Sequence, residues 1–272
     1  MKQFHLLILI WVVISQQSEA QPKPPKIYGT VNIDQFTLMS YQEVTVKEWM
    51  AFIVNNHFDN SLFPDSSAID PTSELVFTDL RKQHNFAYLK IVGNLYRYAG
   101  DKTVEPSGDF RKLIFADPNY FSLEIPITGI TFEQAQKYCK WKEDMINQNQ
   151  KIRVEVSLPS VDIYKRVIPN RDTLSKNGKC FELNCSTAKC ETSGKDKAHI
   201  SEGKALENAG SYLPTALGLY NIQGNAAEMT STYGVAMGGS FRQPARESFN
   251  DKFQHYDKAC DWLGFRYVIT TK

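Results

Sequence analysis

Two stretches of the chain have the hydrophobic spacing of amphipathic helices. In the first, apolar residues recur at the i, i+3, i+4 and i+7 spacing that places them on one helix face: Val46, Trp49, Met50 and Ile53. Thr45 and Glu48 have the spacing of a capping box, in which each side chain satisfies a backbone N–H of the first turn. The pattern therefore predicts a helix that begins after Thr45 and buries this stripe.

The second stretch, "TFEQAQKYCKWKEDMINQ", shows the same kind of pattern. Thr131 and Gln134 provide the cap, and the residues expected to point inward are Phe132, Ala135, Cys139 and Ile146. Farther on, "VEVSLPSVDIYKRVI" predicts a strand, a turn at Pro159 and a short helix capped by Ser160.

Short runs of β-branched and aromatic residues predict strands elsewhere in the chain, in "FTLMS", "FAYLKIV", "GVAMGGSF" and "LGFRYVIT". Between the predicted elements lie irregular segments at 59–117 and 170–210, rich in polar residues and in turn-forming Pro, Gly, Asp and Ser. No internal repeat or heptad pattern occurs in the sequence. We therefore expect one α+β domain with few short helices, short strands and long loops.

The N-terminus resembles a secretory signal. An apolar run, "LLILIWVVI", is too short to span a bilayer and is followed by Ser18 and Ala20, the small residues that a signal peptidase reads. We predict a signal peptide at 1–20, an extended leader at 21–29 and a domain at 30–272. No cysteine follows the apolar run, so a lipid anchor is not expected, and no later segment has the pattern of a membrane span.

Charge and cysteine content narrow the range of functions. The 272 residues include 31 basic and 30 acidic ones, a formal net charge of +1 that does not predict binding to nucleic acid. Five cysteines in an exported chain indicate disulfides and leave one thiol over: Cys139, Cys180, Cys185, Cys190 and Cys260. The regular spacing of Cys180, Cys185 and Cys190 is also compatible with a zinc site, although no histidine lies between the first and the last of them.

Most sequence signatures of catalysis are missing. Four histidines outside the signal, His57, His84, His199 and His255, are scattered without metal-binding spacing, and no G-x-S-x-G or phosphate-loop motif occurs. The most unusual stretch is "GLYNIQGNAAEMTS" at 218–231, which has too little periodicity for a helix or strand. A tight turn, a metal site and a catalytic motif are all compatible with its composition.

The order of six motifs resembles one known family. The motifs are "YQEVTVKEW", "PITGITFEQAQKYCKW", "LPS", "GLYNIQGNAAEMTS", "GGSF" and "LGFR", and together they resemble the formylglycine-generating enzyme (sulfatase-modifying factor) superfamily over residues 30–272. This resemblance implies an irregular α+β fold related to C-type lectins. "ADPNYFSLEIPITGI", "AAEMTS" and "WLGFR" resemble in particular the non-enzymatic branch found among gliding-motility and type IX secretion lipoproteins.

The resemblance also implies where the chemistry would lie. Enzymes of the family oxidise a substrate cysteine with copper held by two cysteines, at the third and eighth positions after the serine of "GGS". Those positions are Gln243 and Ser248 here, and Cys260 lies too far along the chain to replace a pair. Since Cu(I) prefers thiolates, we expect no copper and no catalysis of this type. The expected function is an exported binding or scaffold protein of a cell-envelope secretion or motility assembly; the alternative is an oxidoreductase acting on cysteine of a sulfatase-like substrate through a rearranged metal site.

The same resemblance implies a structural calcium site formed by Asn221, Gly224, Ala226 and Glu228. Calcium prefers several oxygen ligands in an irregular loop, and this motif supplies one carboxylate. The alternative is a buried turn without metal, in which Asn225 caps backbone groups and Glu228 pairs with an arginine such as Arg266.

Three further residues are candidates for ligand binding. Arg242, Gln243 and Arg246 follow "GGSF", where the family has its active pocket, and the arginines suit an acidic, peptide or glycan ligand. The alternative for both arginines is that they are solvated loop charges. In the family's enzymes, the cysteine at the position of Cys139 forms a disulfide with a cysteine right after "GFR". This chain has Tyr267 at that second position, so Cys260 is the candidate replacement partner for Cys139.

Overall fold

The computed structural model describes residues 26–69, Ser73, Phe77, 123–149, 153–170, 183–186 and 205–271. The predicted signal peptide lies outside the described residues, and so does most of the leader. The predicted strand "FAYLKIV" lies outside them as well, together with Cys180, Cys190, His84 and His199. Within the described residues, the chain forms two four-stranded sheets, short 3₁₀ turns and three α-helices whose bounds are described.

The first sheet brings the two ends of the domain together. Its strand order is β1 (Thr30–Asn32), β2 (Thr37–Ser40), β8 (Val268–Thr271) and β3 (Val154–Ser157), and all neighbours are antiparallel. Ile269 lies opposite Leu38 on one side and Val156 on the other. Because all three side chains are almost fully buried, this register fixes the central strand in the core.

The second sheet carries the motif at 218–231. Its order is β6 (Gln254–His255), β5 (Val235–Met237), β4 (Ala227–Met229) and β7 (Leu263–Gly264). β4 and β7 are parallel, whereas the other pairs are antiparallel. The strand predicted from "LGFRYVIT" is confirmed as two strands, β7 and β8, one in each sheet. Residues 265–267 between them join the sheets.

The three α-helices begin where the capping patterns predict. α1 (Val46–Asn55) has the full capping box of Thr45 and Glu48, and its predicted stripe is buried. α2 (Phe132–Asn149) has the reciprocal Thr131 and Gln134 bonds at 2.8 and 3.2 Å. α3 (Val161–Val167) is capped by Ser160. Shorter 3₁₀ turns occupy Asn60–Leu62 and Ala245–Ser248.

Aromatic side chains fill the space between the two longer helices and the sheets. Trp49 stacks on Tyr138 with ring centroids 5.7 Å apart, and Phe265 meets both rings edge-on. The Trp49 indole N–H donates to the Leu62 carbonyl at 3.0 Å, so its polar atom is satisfied in the core. This cluster holds α1, α2 and the segment between β7 and β8 in fixed relation.

The predicted mixed α and β architecture with few short helices is confirmed. Trp49 is fully buried as expected, and Trp141 and Trp262 pack against the core from partly buried positions. No helix in the described part of the chain is long and apolar enough to cross a membrane.

Candidate functional site

The motif at 218–231 folds as a tight, buried turn that leads into β4. Asn221, Gly224 and Asn225 have positive φ angles of 46°, 77° and 63°. Asparagine and glycine are the residues that adopt this left-handed conformation most readily. A Cβ atom on Gly224 would lie 2.6 Å from the carbonyl oxygen of Asn184. The positive φ angle and the close backbone approach both explain why glycine occupies this position.

The Asn225 side chain is the hydrogen-bonding centre of this turn. Its Oδ1 accepts from the Glu207 backbone N–H at 2.9 Å and from the Asn184 amide at 3.0 Å. Its Nδ2 donates to the Glu207 carbonyl and to Glu43 Oε1, both at 3.1 Å. Asn225 is fully buried, and its amide ties three separate segments of the chain together. The alternative in which Asn225 caps backbone groups is the one that these hydrogen bonds support.

Glu228 and Arg266 form a buried ion pair beside this turn. Arg266 Nε donates to Glu228 Oε2 and Nη2 donates to Oε1, each at 2.6 Å, and both side chains are at most 1% exposed. The Tyr164 hydroxyl also donates to Oε2, at 2.8 Å. The remaining guanidinium hydrogens point to backbone carbonyls, among them that of Tyr220 at 2.9 Å. Of the two alternatives, the contacts therefore support the one in which Glu228 pairs with an arginine such as Arg266.

Glu43 is a second carboxyl group in the same buried network, and the sequence analysis did not single it out. Burial raises the pKa of Glu43 to about 8, and the nearby Glu228 carboxylate acts in the same direction while Arg266 opposes it. Its Oε2 has no hydrogen-bond partner among the described residues. A single glutamate in "YQEV" belongs to no periodic pattern that would predict its burial. The groups that surround it in space, Asn225, Glu228 and Arg266, lie far away in the sequence.

The four residues predicted to bind calcium do not fit that role in this geometry. The Glu228 carboxylate is their only charged ligand, and both of its oxygens already accept short hydrogen bonds from Arg266 and Tyr164. A cation there would have to replace a guanidinium held in a fully buried site. Asn221 Nδ2 donates to the Asn208 carbonyl at 3.2 Å, whereas its buried Oδ1 has no hydrogen-bond partner in the described part of the chain.

Gln243 and Ser248, at the family's two thiol positions, are bound to their own loop. Ser240 Oγ donates to Gln243 Oε1 at 2.8 Å, and Ser248 Oγ donates to the Ala245 carbonyl at 2.7 Å. Ser248 is 1% exposed, and its carbonyl accepts from the Gln223 amide at 3.1 Å. An amide and a hydroxyl engaged in this way do not fit a Cu(I) ion, which prefers soft sulfur ligands.

The two arginines predicted to contact a ligand both have acidic neighbours. Arg242 pairs with Asp261 and lies over the Phe241 ring, 5.4 Å from its centroid. Arg246 Nε contacts Glu247 Oε1 at 3.2 Å and its side chain is 75% exposed. The two carboxylates partly neutralise the positive charge that would attract an acidic ligand to this loop, although Arg246 remains accessible to solvent.

The predicted disulfide between Cys139 and Cys260 is not formed. Both residues carry free thiols. Cys139 is buried in α2, and burial raises its thiol pKa to about 12. Cys260 is partly exposed and its Sγ donates to the Lys258 carbonyl at 3.3 Å. A cysteine count in an exported chain indicates bridges, but it contains no information on which sulfur atoms the fold brings within bonding distance. Cys185 is buried as well.

A cleft of about 400 Å³ opens at the N-terminal end of α2, and the sequence analysis did not predict it. Phe132, Glu133, Tyr233, Tyr256 and Asp257 contribute to its wall. These residues come from three distant parts of the chain. Phe132 was predicted to point inward and Tyr256 belongs to the buried core, so no local signal marks either residue as lining a cleft. Within the described residues, no group of three or more His, Cys, Asp or Glu side chains is arranged to hold a metal ion.

A protein-family model matches nearly the whole chain. The family model described as a sulfatase-modifying factor enzyme 1-like domain matches residues 14–271. No curated protein matches the chain. The solved structures with similarity include PvdO from Pseudomonas aeruginosa, with 13% identity, a TM-score of 0.48, and coverage of 86% of this chain and 80% of that one.

Two other solved structures show similarity of the same order. Treponema denticola variable protein 1 has 13% identity and a TM-score of 0.45, with coverage of 88% of this chain and 90% of that one. CarF has 12% identity and a TM-score of 0.47, with coverage of 90% of this chain and 96% of that one.

Proposed function

The chain belongs to the family of sulfatase-modifying factor enzyme 1-like domains, and from that premise we propose that it is a non-catalytic binding or scaffold member. One observation carries the proposal. Gln243 and Ser248 stand where the resemblance places the copper-binding cysteines, and both side chains are hydrogen-bonded within their own loop. Without a pair of thiolates the loop lacks the ligands that Cu(I) requires.

The rest of the motif region supports a structural role. The turn at 218–231 uses Asn225 and Glu228 to connect separate segments, and both of these side chains hydrogen-bond to protein atoms. A buried network in which most polar groups are hydrogen-bonded makes the surrounding backbone rigid. It therefore supports a stable domain that presents its surface to a partner.

We also propose that the protein is exported and acts within a cell-envelope assembly of the secretion or motility type. The apolar run at 6–14, followed by Ser18 and Ala20, supports export. The resemblance of "ADPNYFSLEIPITGI" and "WLGFR" to the non-enzymatic branch supports the assembly, and also the finer proposal of a C-type-lectin-like arrangement. The expected partners are envelope proteins or a peptide or glycan ligand.

Metal analysis combined with an oxygen assay tests the absence of catalysis. Purified protein is loaded with Cu(I), desalted and analysed for copper, and oxygen uptake is followed with a synthetic peptide that contains one cysteine. We expect far less than one equivalent of copper and no peptide-dependent oxygen uptake. Stoichiometric copper together with oxidation of the peptide cysteine would overturn the proposal and establish an oxidase with a rearranged site.

A further inference from the structure

The cleft at the start of α2 lies apart from the positions that the family uses for chemistry. Its described lining comes from residues 63, 65, 129, 131–134, 233 and 256–259, and includes neither Gln243 nor Ser248. Its volume of about 400 Å³ falls within the range of pockets that hold a side chain or a small ligand.

Aromatic rings form one wall of the cleft. Tyr233 meets Phe132 edge-on, with centroids 5.6 Å apart, and meets Tyr256 at 5.9 Å. Tyr233 is 57% exposed, yet its hydroxyl donates to the Asp257 carbonyl at 3.0 Å. Both ends of this ring are therefore held in place while much of it remains open to solvent. A ring fixed in this way loses little conformational freedom when a ligand packs against it.

Acidic side chains surround the aromatic wall. Among the described lining residues, Asp65, Glu133 and Asp257 carry carboxylates and Lys258 carries the one ammonium group. Neither Glu133 nor Asp257 has an ion-pair partner among the described residues, and both are exposed at the rim. The cleft therefore has a negative formal charge, which favours a cationic group.

The positive end of the α2 dipole does not reverse this preference. The Thr131 backbone N–H donates to Gln134 Oε1 at 2.8 Å, and the Gln134 N–H donates to Thr131 Oγ1 at 3.2 Å. Two of the N–H groups that an anion would need are thus already used, and Glu133 in the first turn compensates the dipole.

We propose that this cleft binds a lysine or arginine side chain of a partner polypeptide, with the cation against the Tyr233 ring and between the carboxylates of Glu133 and Asp257. This rests on the proposed function, because it names the class of partner for the binding module. Exposed aromatic faces attract ammonium and guanidinium groups, and nearby carboxylates add a directional partner.

Tyr256 lies in the wall of the cleft beside Tyr233. Tyr256 is 8% exposed, lines the cleft and has a hydroxyl group without a partner among the described residues. Burial raises the pKa of Tyr256 to about 12, so the phenol is neutral at physiological pH. Its hydroxyl oxygen is shielded from solvent, so Tyr256 supports the Tyr233 ring and does not itself contact the ligand.

The test uses the full chain and an immobilised array of random-sequence peptides, followed by fluorescence titration of selected peptides. We expect the bound peptides to be enriched in lysine and arginine, and acetylation of the lysine to weaken binding at least about tenfold, because it removes the charge. Binding is also expected to weaken as salt is raised, since the rim carboxylates are exposed.

Matched variants locate the site. Glu133→Gln with Asp257→Asn, and Tyr233→Ala alone, are expected to weaken peptide binding at least about tenfold, as the loss of a charge pair and of an aromatic contact does. Asp251→Asn removes an exposed carboxylate that is not part of the described lining and is expected to leave binding unchanged. Circular dichroism and a thermal melt for each variant show that it is folded.

The possible outcomes separate this inference from the proposed function. Binding that is lost in an Arg242→Ala, Arg246→Ala variant but kept in the cleft variants would reject the cleft and retain a binding protein. Capture of acidic or neutral peptides, or of none, would also reject the cationic ligand. Copper-dependent oxidation of peptide cysteine would instead reject the non-catalytic function.

Discussion

Arg266 and Glu228 face each other through two parallel hydrogen bonds of 2.6 Å in a site that excludes solvent. Arg266 lies in the segment between β7 and β8, and Glu228 lies in β4, so the pair connects the two sheets. Tyr164 of α3 donates a third hydrogen bond to the same carboxylate. One ion pair thus fixes the relation of both sheets and a helix.

Replacing Arg266 by methionine should destabilise the domain strongly. The substitution leaves Glu228 buried with one hydrogen bond, and breaking a buried pair in this way costs about 3–5 kcal/mol. Urea denaturation measures the effect. The control is Arg166→Ala, which removes an exposed pair with Asp34 and should change the free energy of unfolding by less than about 1 kcal/mol.

The double variant Arg266→Met, Glu228→Gln separates a buried-charge effect from simple loss of packing. Because the remaining charge is removed, we expect it to regain part of the lost stability. A double variant no more stable than Arg266→Met would contradict this account.

Glu43 should make the protein less stable as pH rises. Its pKa is raised from 4.5 to about 8 in the folded state, so the folded chain holds a proton that the unfolded chain releases. The contribution of Glu43 to the free energy of unfolding is complete below pH 4.5. It falls by at most about 1.4 kcal/mol per pH unit above that value and is lost by about pH 8. The charged groups that set this shift are Glu228 and Arg266.

Glu43→Gln removes the titration and keeps an oxygen that can accept from Asn225. We expect wild type and variant to have similar stability near pH 4.5 and the variant to be the more stable one at pH 8. Urea denaturation at several pH values gives the difference between the two proteins. Curves that stay parallel from pH 4.5 to 8 would show that Glu43 does not titrate in this range.

Gly224→Ala should destabilise the turn, because alanine meets both a positive φ and a carbonyl oxygen 2.6 Å from its Cβ. A strained backbone residue of this kind costs about 1–3 kcal/mol, and the contact adds to that. The control is Gly210→Ala, whose Cβ would lie 4.0 Å from its nearest neighbour and should change stability by about 0.5 kcal/mol or less. Thermal melts measure the effect, and an equal change in melting temperature for the two variants would show that alanine causes no strain at position 224.

Removing calcium should leave the domain unaffected. Arg266 occupies the Glu228 carboxylate that a calcium ion would need, so no stabilisation by the metal is expected. Thermal melts in the presence of calcium and of the chelator EGTA give the comparison. A melting temperature that rises with calcium concentration would show that the motif binds the ion after all.

Cys260 should react with iodoacetamide in the native protein well before Cys139 does. Cys260 is partly exposed, whereas Cys139 is 3% exposed and burial raises its thiol pKa to about 12, so little thiolate is available. Peptide mapping by mass spectrometry after timed alkylation shows the order. Protection of both cysteines until a reductant is added would instead indicate the disulfide that the sequence predicted.

Local patterns were sufficient to locate the helices and several of the strands. The cap at Thr45 with Glu48, and the stripe that includes Trp49, act between residues three or four positions apart, so the sequence determines them directly. The motifs that carry Glu228 and Arg266 were both recognisable in the sequence. Whether Glu228 binds calcium or pairs with Arg266 was left open there.

Only the tertiary structure decided which polar groups share a site. Glu43 lies 182 positions before Asn225, its hydrogen-bond partner, and Phe132 is about 100 positions before Tyr233 at the cleft. No periodicity connects residues so far apart; their proximity depends on how the two sheets pack. The same reason explains the wrong disulfide prediction: the cysteine content was known from the sequence, whereas the distances between sulfur atoms are set by the fold.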